Sequence, residues 1–231
     1  MKKFTLFIAA ILISSIGFAQ EGETTKEKQQ GHYNISKFRQ LKQELPTPNI
    51  YRTASGAPGH EYYQQKADYK MDIILDDENQ RIYGEELITY FNNSPDELEY
   101  LWVQLDQNIR APDAITNDVQ GSGASTMYNP KKFTEEFLGK PFPGGFHIDY
   151  VKNASDGDMD YVVNNTMMRI DLPKVLKTGE KVSFKIKWWY NIPNHVIDGG
   201  RSGFEHFEDG NNNYVIAQFF PRMAVYNDVE G

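Results

Sequence analysis

Between Lys181 and Trp188 the chain alternates apolar and polar residues without a break. Val182, Phe184, Ile186 and Trp188 fall on one parity, and Lys181, Ser183, Lys185 and Lys187 on the other. Successive side chains of an extended chain point to opposite faces, so this spacing predicts a strand with one buried and one wet face. An apolar sheet face needs a second layer to cover it. The rest of the sequence has to supply that layer.

Several other stretches read as strands. Tyr69, Met71, Ile73 and Leu75 alternate with polar partners, the Asp76-Asp77-Glu78-Asn79 cluster turns the chain, and residues 82–91 continue extended, which predicts a hairpin. Leu98 to Leu105 reads as a third and more buried strand behind the Asn93-Ser94-Pro95 turn. Met167 to Leu172 is a further strand, and Tyr214 to Met223 reads as one closing, aromatic-rich extended segment. The 14 Tyr and 14 Phe residues favour half-buried sheet faces, so the fold class expected is mainly β with a few short helices. One helix is predicted from the cap at Ser36, with Phe38, Leu41 and Leu45 on one side and a stop at Pro46. Another starts at Pro130 with Phe133 and Phe137 on one face.

The N-terminus predicts export. Lys2 and Lys3 precede an apolar run from Phe4 to Ala19 that ends in small residues and gives way to polar chain at Gln20, the pattern of a signal peptide cleaved after Ala19. The run is shorter than the roughly 20 residues a membrane span requires. The expected organisation is a signal peptide over 1–19, a flexible leader, short helix and linker over 20–61, and a β-rich domain over 62–231, incomplete at its C-terminus. With no cysteine there is no disulfide, so the core alone must hold the fold. A net charge of −8 with scattered Lys and Arg argues against a nucleic-acid partner or an anionic membrane surface. A periplasmic or extracellular protein with no membrane contact after cleavage is the expectation; the oligomeric state is not legible.

Candidate chemistry is sparse. His60-Glu61-Tyr62-Tyr63-Gln64 has the first half of a zinc-binding His-Glu-x-x-His, but Gln64 stands where the second histidine belongs, and an amide is a poor zinc ligand. Asp156, Asp158 and Asp160 open like a calcium loop, yet Tyr161 replaces the glycine and Met167 the bidentate glutamate, which excludes an EF-hand. A calcium site of another kind and a solvated turn stay open as alternatives. His195, Glu205, His206 and Glu208 are metal-capable, with spacings that match no zinc motif. No Gly-x-Ser-x-Gly elbow, phosphate loop or dinucleotide fingerprint occurs. No catalytic residue and no metal ligand is assigned.

Ordered segments nevertheless resemble a known family. Tyr62 to Tyr69, Ile73-Ile74-Leu75-Asp76, Ile82-Tyr83-Gly84-Glu85-Glu86 and Ile88 to Ser94 resemble the start of the N-terminal saddle domain of aminopeptidase N-like zinc metallopeptidases. Gly200-Arg201-Ser202-Gly203 and Tyr214 to Tyr226 are similar to the strand region that precedes that family's catalytic domain. The resemblance covers roughly residues 62–231. It implies a large, twisted, mostly antiparallel β domain packed against a zinc-bearing catalytic domain that these residues lack. Neither His-Glu-x-x-His nor Gly-x-Met-Glu-Asn is present, so the resemblance implies an N-terminal portion that holds no cofactor itself, with zinc in the missing domain and a peptide substrate met through the parent enzyme. It also implies that Gln218 lines the substrate cleft, the alternative being a solvent-facing strand glutamine, and that Arg222, Tyr226 and Asp228 are structural. A rival reading is a stand-alone secreted β-sandwich binding module for a glycan or protein ligand, with Tyr62, Trp188 or Trp189 as stacking platforms.

Overall fold

The computed structural model describes residues 48–115, 142–198 and 201–228. The segments expected to be a signal peptide and a leader, the helix expected from Ser36 and the helix expected from Pro130 lie outside the described residues. In chain order the elements are β1 (Lys66–Asp76), β2 (Arg81–Phe91), β3 (Leu98–Gln104), a 3-10 turn (Asp106–Arg110), β4 (His147–Asn153), β5 (Tyr161–Asn164), β6 (Met167–Leu176), β7 (Lys181–Asn191), one helical turn α1 (His195–Asp198), β8 (Gly203–His206), β9 (Asn212–Val215) and β10 (Arg222–Met223).

β7 is the strand that the alternation predicts, and it lies inside a four-stranded sheet of order β1-β2-β7-β4. It pairs antiparallel with β2 along its whole length, from Arg81 opposite Asn191 to Phe91 opposite Lys181. The hairpin β1-β2 forms as expected, with Asp76 opposite Arg81. Its turn is held by the Asp76 carboxylate, which accepts from the Glu78 and Asn79 amides at 3.1 and 3.0 Å. A second four-stranded sheet has the order β10-β3-β6-β5, and β8-β9 is a separate two-stranded ribbon. All the strand pairs are antiparallel.

The inner parities of the two large sheets share one apolar core. Ile82, Ile88 and Tyr90 of β2 and Phe184, Ile186, Trp188 and Tyr190 of β7 pack in a single cluster with Leu101 and Val103 of β3 and Met168 and Ile170 of β6. This is the mainly β sandwich expected, its stability resting on the apolar area removed from water. Within it the Trp188 ring lies over Gly84 on the neighbouring strand, where any Cβ would collide with the indole. Tyr190 stacks beside Trp188 at 5.8 Å between centroids, and Phe146 meets both rings edge-on at 5.3 and 5.0 Å.

Two strand expectations need correction. β3 is buried on one face only: a register irregularity between Leu98 and Tyr100 resets the pattern, and Tyr100 and Trp102 are 44% and 37% exposed. Residues 214–223 are not one strand. β9 ends at Val215 and β10 comprises only Arg222 and Met223, because the backbone turns left-handed at Gln218, with φ of +45°. A ladder cannot continue through that conformation.

The segment 48–61 forms no strand or helix beyond an isolated bridge between Arg52 and Pro58. It is tied to the other end of the described chain. Arg52 holds the nearly buried Asp228 through both its Nε, at 2.9 Å, and its terminal nitrogen, and Asn49 donates to the same carboxylate at 3.3 Å. Tyr51 meets Tyr63 edge-on at 5.5 Å. Hydrogen bonds from Arg52 hold the Asp228 carboxyl below its ordinary range.

Two stability measurements follow from this packing. Gly84→Ala is expected to cost about 1–3 kcal/mol, because the added methyl must displace a core tryptophan. Urea unfolding should show a lower midpoint with an unchanged slope. Asp228→Asn is expected to cost about 2 kcal/mol at neutral pH, the scale of a hydrogen bond to a charged group. Since the folded state lowers this carboxyl's pKa, the contribution is full above the unfolded value of about 3.9 and is lost as pH falls through the folded one. The gap between wild type and Asp228→Asn in urea unfolding should therefore be constant above about pH 5 and close below about pH 4.

Candidate functional site

The local geometry at Gln218 is built by residues far away in sequence. Gln107, 6% exposed in the 3-10 turn, donates its side-chain amide to the backbone carbonyls of Ala217 and Gln218 at 2.8 and 3.2 Å. The buried Ser202 hydroxyl accepts from the Ala217 amide at 2.9 Å, and Arg110 donates to the Ser202 carbonyl at 3.3 Å. On the C-terminal side Phe219 and Phe220 pack partly against the core, their rings 5.0 Å apart, with Phe220 edge-on to Tyr69 at 5.4 Å. With the backbone clamped behind and the two phenylalanines turned inward, the Gln218 side chain is left exposed. An exposed carboxamide offers two donors and one acceptor to whatever approaches. A non-glycine residue at positive φ is uncommon, and such strain persists only where its surroundings enforce it. Here Gln107 and Ser202 do so.

The three residues named beside Gln218 are each tied within the domain. Arg222 donates to Asp106 at 2.8 Å, Tyr226 donates to Asp96 at 2.7 Å, and Asp228 is held by Arg52. Gln107, which sets the Gln218 loop, was not singled out in the sequence; a buried glutamine among the polar residues of Asp106–Arg110 gives no periodic signal.

The other flagged residues are dispersed. His60 and Glu61 are exposed on a turn, and Gln64 donates to the Tyr62 hydroxyl at 2.8 Å. Asp156 sits at a positive φ of 63° between β4 and β5 and pairs with Lys185 at 2.8 Å, while the backbone of Asp158 forms an isolated antiparallel β-bridge with Lys152. His195 is exposed in α1, and His206 in β8 shares a hydrogen bond with Asn212 at 2.8 Å. Among the described residues no group of three or more metal-capable side chains converges. The described residues therefore do not fit a zinc site.

The aromatic platforms of the rival reading separate. Trp188 is wholly buried, which overturns its assignment as a ligand platform: its parity places it in the core. Trp189, on the outer face, is covered by its neighbours. His147 stacks on it at 3.9 Å with 8° between planes, and the Arg81 guanidinium lies 4.3 Å from its centroid. Tyr62 is exposed and lines a cleft of about 640 Å³ between the start of β1, the segment around Tyr51 and residues 223–228. Tyr63, Tyr69, Tyr90 and Tyr226 also line it. Burial, and the nearby Asp96 and Asp228 carboxylates, push the Tyr63 phenol up, so it stays protonated. This cleft was missed because residues 48–61 read as a linker.

One further titratable group lies in the core. Glu86 of β2 is wholly buried, and among the described residues neither carboxyl oxygen has a hydrogen-bond partner. Burial pushes its pKa to about 9; the Trp188 indole N–H opposes this weakly but is not in bonding geometry.

No protein-family model and no curated protein sequence matches the chain. Among solved structures it is similar to a mutant M1 zinc metallopeptidase from Deinococcus radiodurans bound to a Tyr-Ser-Ala substrate, at 8% identity and a TM-score of 0.35, over 60% of this chain and 23% of that one. It is similar to another structure of a mutant M1 zinc metallopeptidase from that organism at 9% identity and a TM-score of 0.36, over 64% and 25%. A mutant two-domain M1 zinc metallopeptidase bound to L-tryptophan matches at 10% identity and a TM-score of 0.36, over 64% and 26%. The chain spans about a quarter of the length of these structures.

Proposed function

We propose that this chain is the β-rich N-terminal portion of an exported, aminopeptidase N-like zinc metallopeptidase, in which it shapes part of the peptide cleft and leaves the chemistry to residues outside it. The sequence resemblance motivates the reading. The observation that carries it is the Gln218 loop: a left-handed, non-glycine position, clamped from behind by Gln107 and Ser202, that presents a carboxamide outward. Order of this kind at an exposed residue costs free energy and is expected where a side chain has a positioning task. In the proposed role the Gln218 amide hydrogen-bonds a carbonyl or amine of an extended peptide.

Zinc enters this reading only as the metal of a separate catalytic domain, where it would polarise the scissile carbonyl and activate water. What these residues do is orient. A clamped loop holds one end of a substrate without changing its own conformation, which limits the entropy lost on binding.

The 231-residue chain alone is expected to show no zinc-dependent turnover of aminoacyl chromogenic substrates. Reading the gene past the Gly231 codon should reveal an in-frame His-Glu-x-x-His. In the protein that reading frame encodes, Gln218→Ala should lower kcat/KM about tenfold, the scale of one lost hydrogen bond. Zinc-dependent turnover by the short chain, or a stop codon directly after Gly231, would sink the proposal.

A further inference from the structure

Glu86 stands on the inner parity of β2, between Gly84 and Ile88, and is wholly buried. Its register partners are Met71 on β1 and Ile186 on β7. Neither side offers a counter-charge. The groups that face it are Tyr69 from β1, the indole of Trp188 from β7, and, farther along that face, the phenol of Tyr190. Across the core the inner residues of β3 and β6 are Leu101, Val103, Met168 and Ile170, none of them charged. Arg222 of β10 acts electrostatically on Tyr69, but its guanidinium is held by Asp106. Tyr69 itself accepts a hydrogen bond from the Met223 amide at 2.8 Å.

The contrast with Asn92, just beyond the end of the same strand and equally buried, is instructive. Its side chain donates to the Asp96 and Leu176 carbonyls at 2.7 and 3.0 Å and accepts from the Ser94 hydroxyl at 2.6 Å and from Gln65 at 3.1 Å. That network makes Asn92 a fixed structural element. Glu86 has no such partners, and the Trp188 indole nitrogen and the Tyr190 hydroxyl beside it are also unpartnered among the described residues. An uncompensated carboxylate in such a place is far costlier than a neutral carboxyl group.

We propose that Glu86 is a proton-dependent switch in the core: in its neutral form the two sheets close over it, and loss of its proton loosens β1 and β2 from the opposing sheet so that the carboxylate reaches water. β1 is the element able to yield. Among the described residues it is an edge strand that pairs only with β2, and Ile73, Ile74 and Leu75 near its end are already exposed. The sign follows from the raised folded value. The unfolded chain releases this proton near the ordinary 4.5 and the folded chain holds it to about 9, so unfolding becomes more favourable as pH rises between those limits. Below that window Glu86 adds no pH dependence, and above it the effect levels off.

The test uses the 231-residue chain and its Glu86→Gln variant, an uncharged isostere. Relative to the variant, the wild-type unfolding constant should rise by up to tenfold per pH unit within the window. The near-ultraviolet circular dichroism of the folded wild type, which reports on packed aromatics such as Trp188, should change around pH 9, while that of the variant stays flat. Parallel stability curves for the two proteins would overturn the proposal. If the variant does not fold, carbon-13 NMR of glutamate-labelled wild type decides. A carboxyl resonance titrating near pH 9 and absent from all other glutamates' ordinary range supports the switch, and titration of every glutamate near 4.5 overturns it.

Discussion

The Trp188 ring lying across Gly84 is the contact on which the rest of the fold depends. It joins the two central strands of one sheet at a distance only a residue without a side chain allows, and so fixes their register as well as their spacing. A slip of one residue would place Tyr83 or Glu85 beneath the indole and turn β2 inside out, since side-chain period is two. With that register set, Phe146 closes over Trp188 and Tyr190, and the inner parity of β7 meets β3 and β6 as one apolar surface. Burying rings of this size contributes several kcal/mol each on the scale of large-to-small core substitutions. A chain without cysteine has no covalent alternative.

Around this core the two ends of the described chain are fastened by polar contacts of a different kind. Arg52 to Asp228, Arg222 to Asp106 and Tyr226 to Asp96 each bridge more than a hundred residues of sequence. They close the side of the sandwich where the edge strands β1 and β10 meet and where Met223 donates to Tyr69. Partly buried pairs of this kind contribute less than the aromatic core, but they are directional, so they determine where the chain's ends lie rather than whether the core forms.

The strands legible in the sequence are those where burial alone decides the pattern. Lys181 to Trp188 alternates because one face is core and the other water, and the structure buries Phe184, Ile186 and Trp188 while leaving Lys181 and Lys187 exposed. The hairpin of β1 and β2 was legible for the same reason only as far as Met71, since Ile73 and Leu75 of the same alternating set are exposed; beyond that point it was legible from Asp76, whose side chain caps the turn it predicts. Residues 214–223 misled because aromatic density resembles strand, while the break at Gln218 depends on Gln107, which lies over a hundred residues upstream. Glu86 could have been found. The parity Ile82, Gly84, Glu86, Ile88, Tyr90 sets it inward, and only the habit of reading charged residues as exposed conceals it. Trp188 and Trp189 show the same rule: adjacent residues on a strand have opposite fates, and parity with Phe184 and Ile186 assigned Trp188 to the core.

The clamped loop and the core are held by different kinds of contact. Gln218 is positioned by side chains from the 3-10 turn and from Ser202, not by a strand ladder, and its neighbours Phe219 and Phe220 reach only the margin of the aromatic cluster. A loop arranged in this way can vary its outward side chain among residues that tolerate a left-handed backbone, because the clamp grips backbone carbonyls rather than the side chain. The residue that matters most for the loop's shape is therefore Gln107, while Gln218 supplies the side chain that the loop exposes. Because the loop's shape depends on a residue more than a hundred positions upstream, a strand pattern revealed the scaffold while the loop's geometry became visible only once the chain was folded.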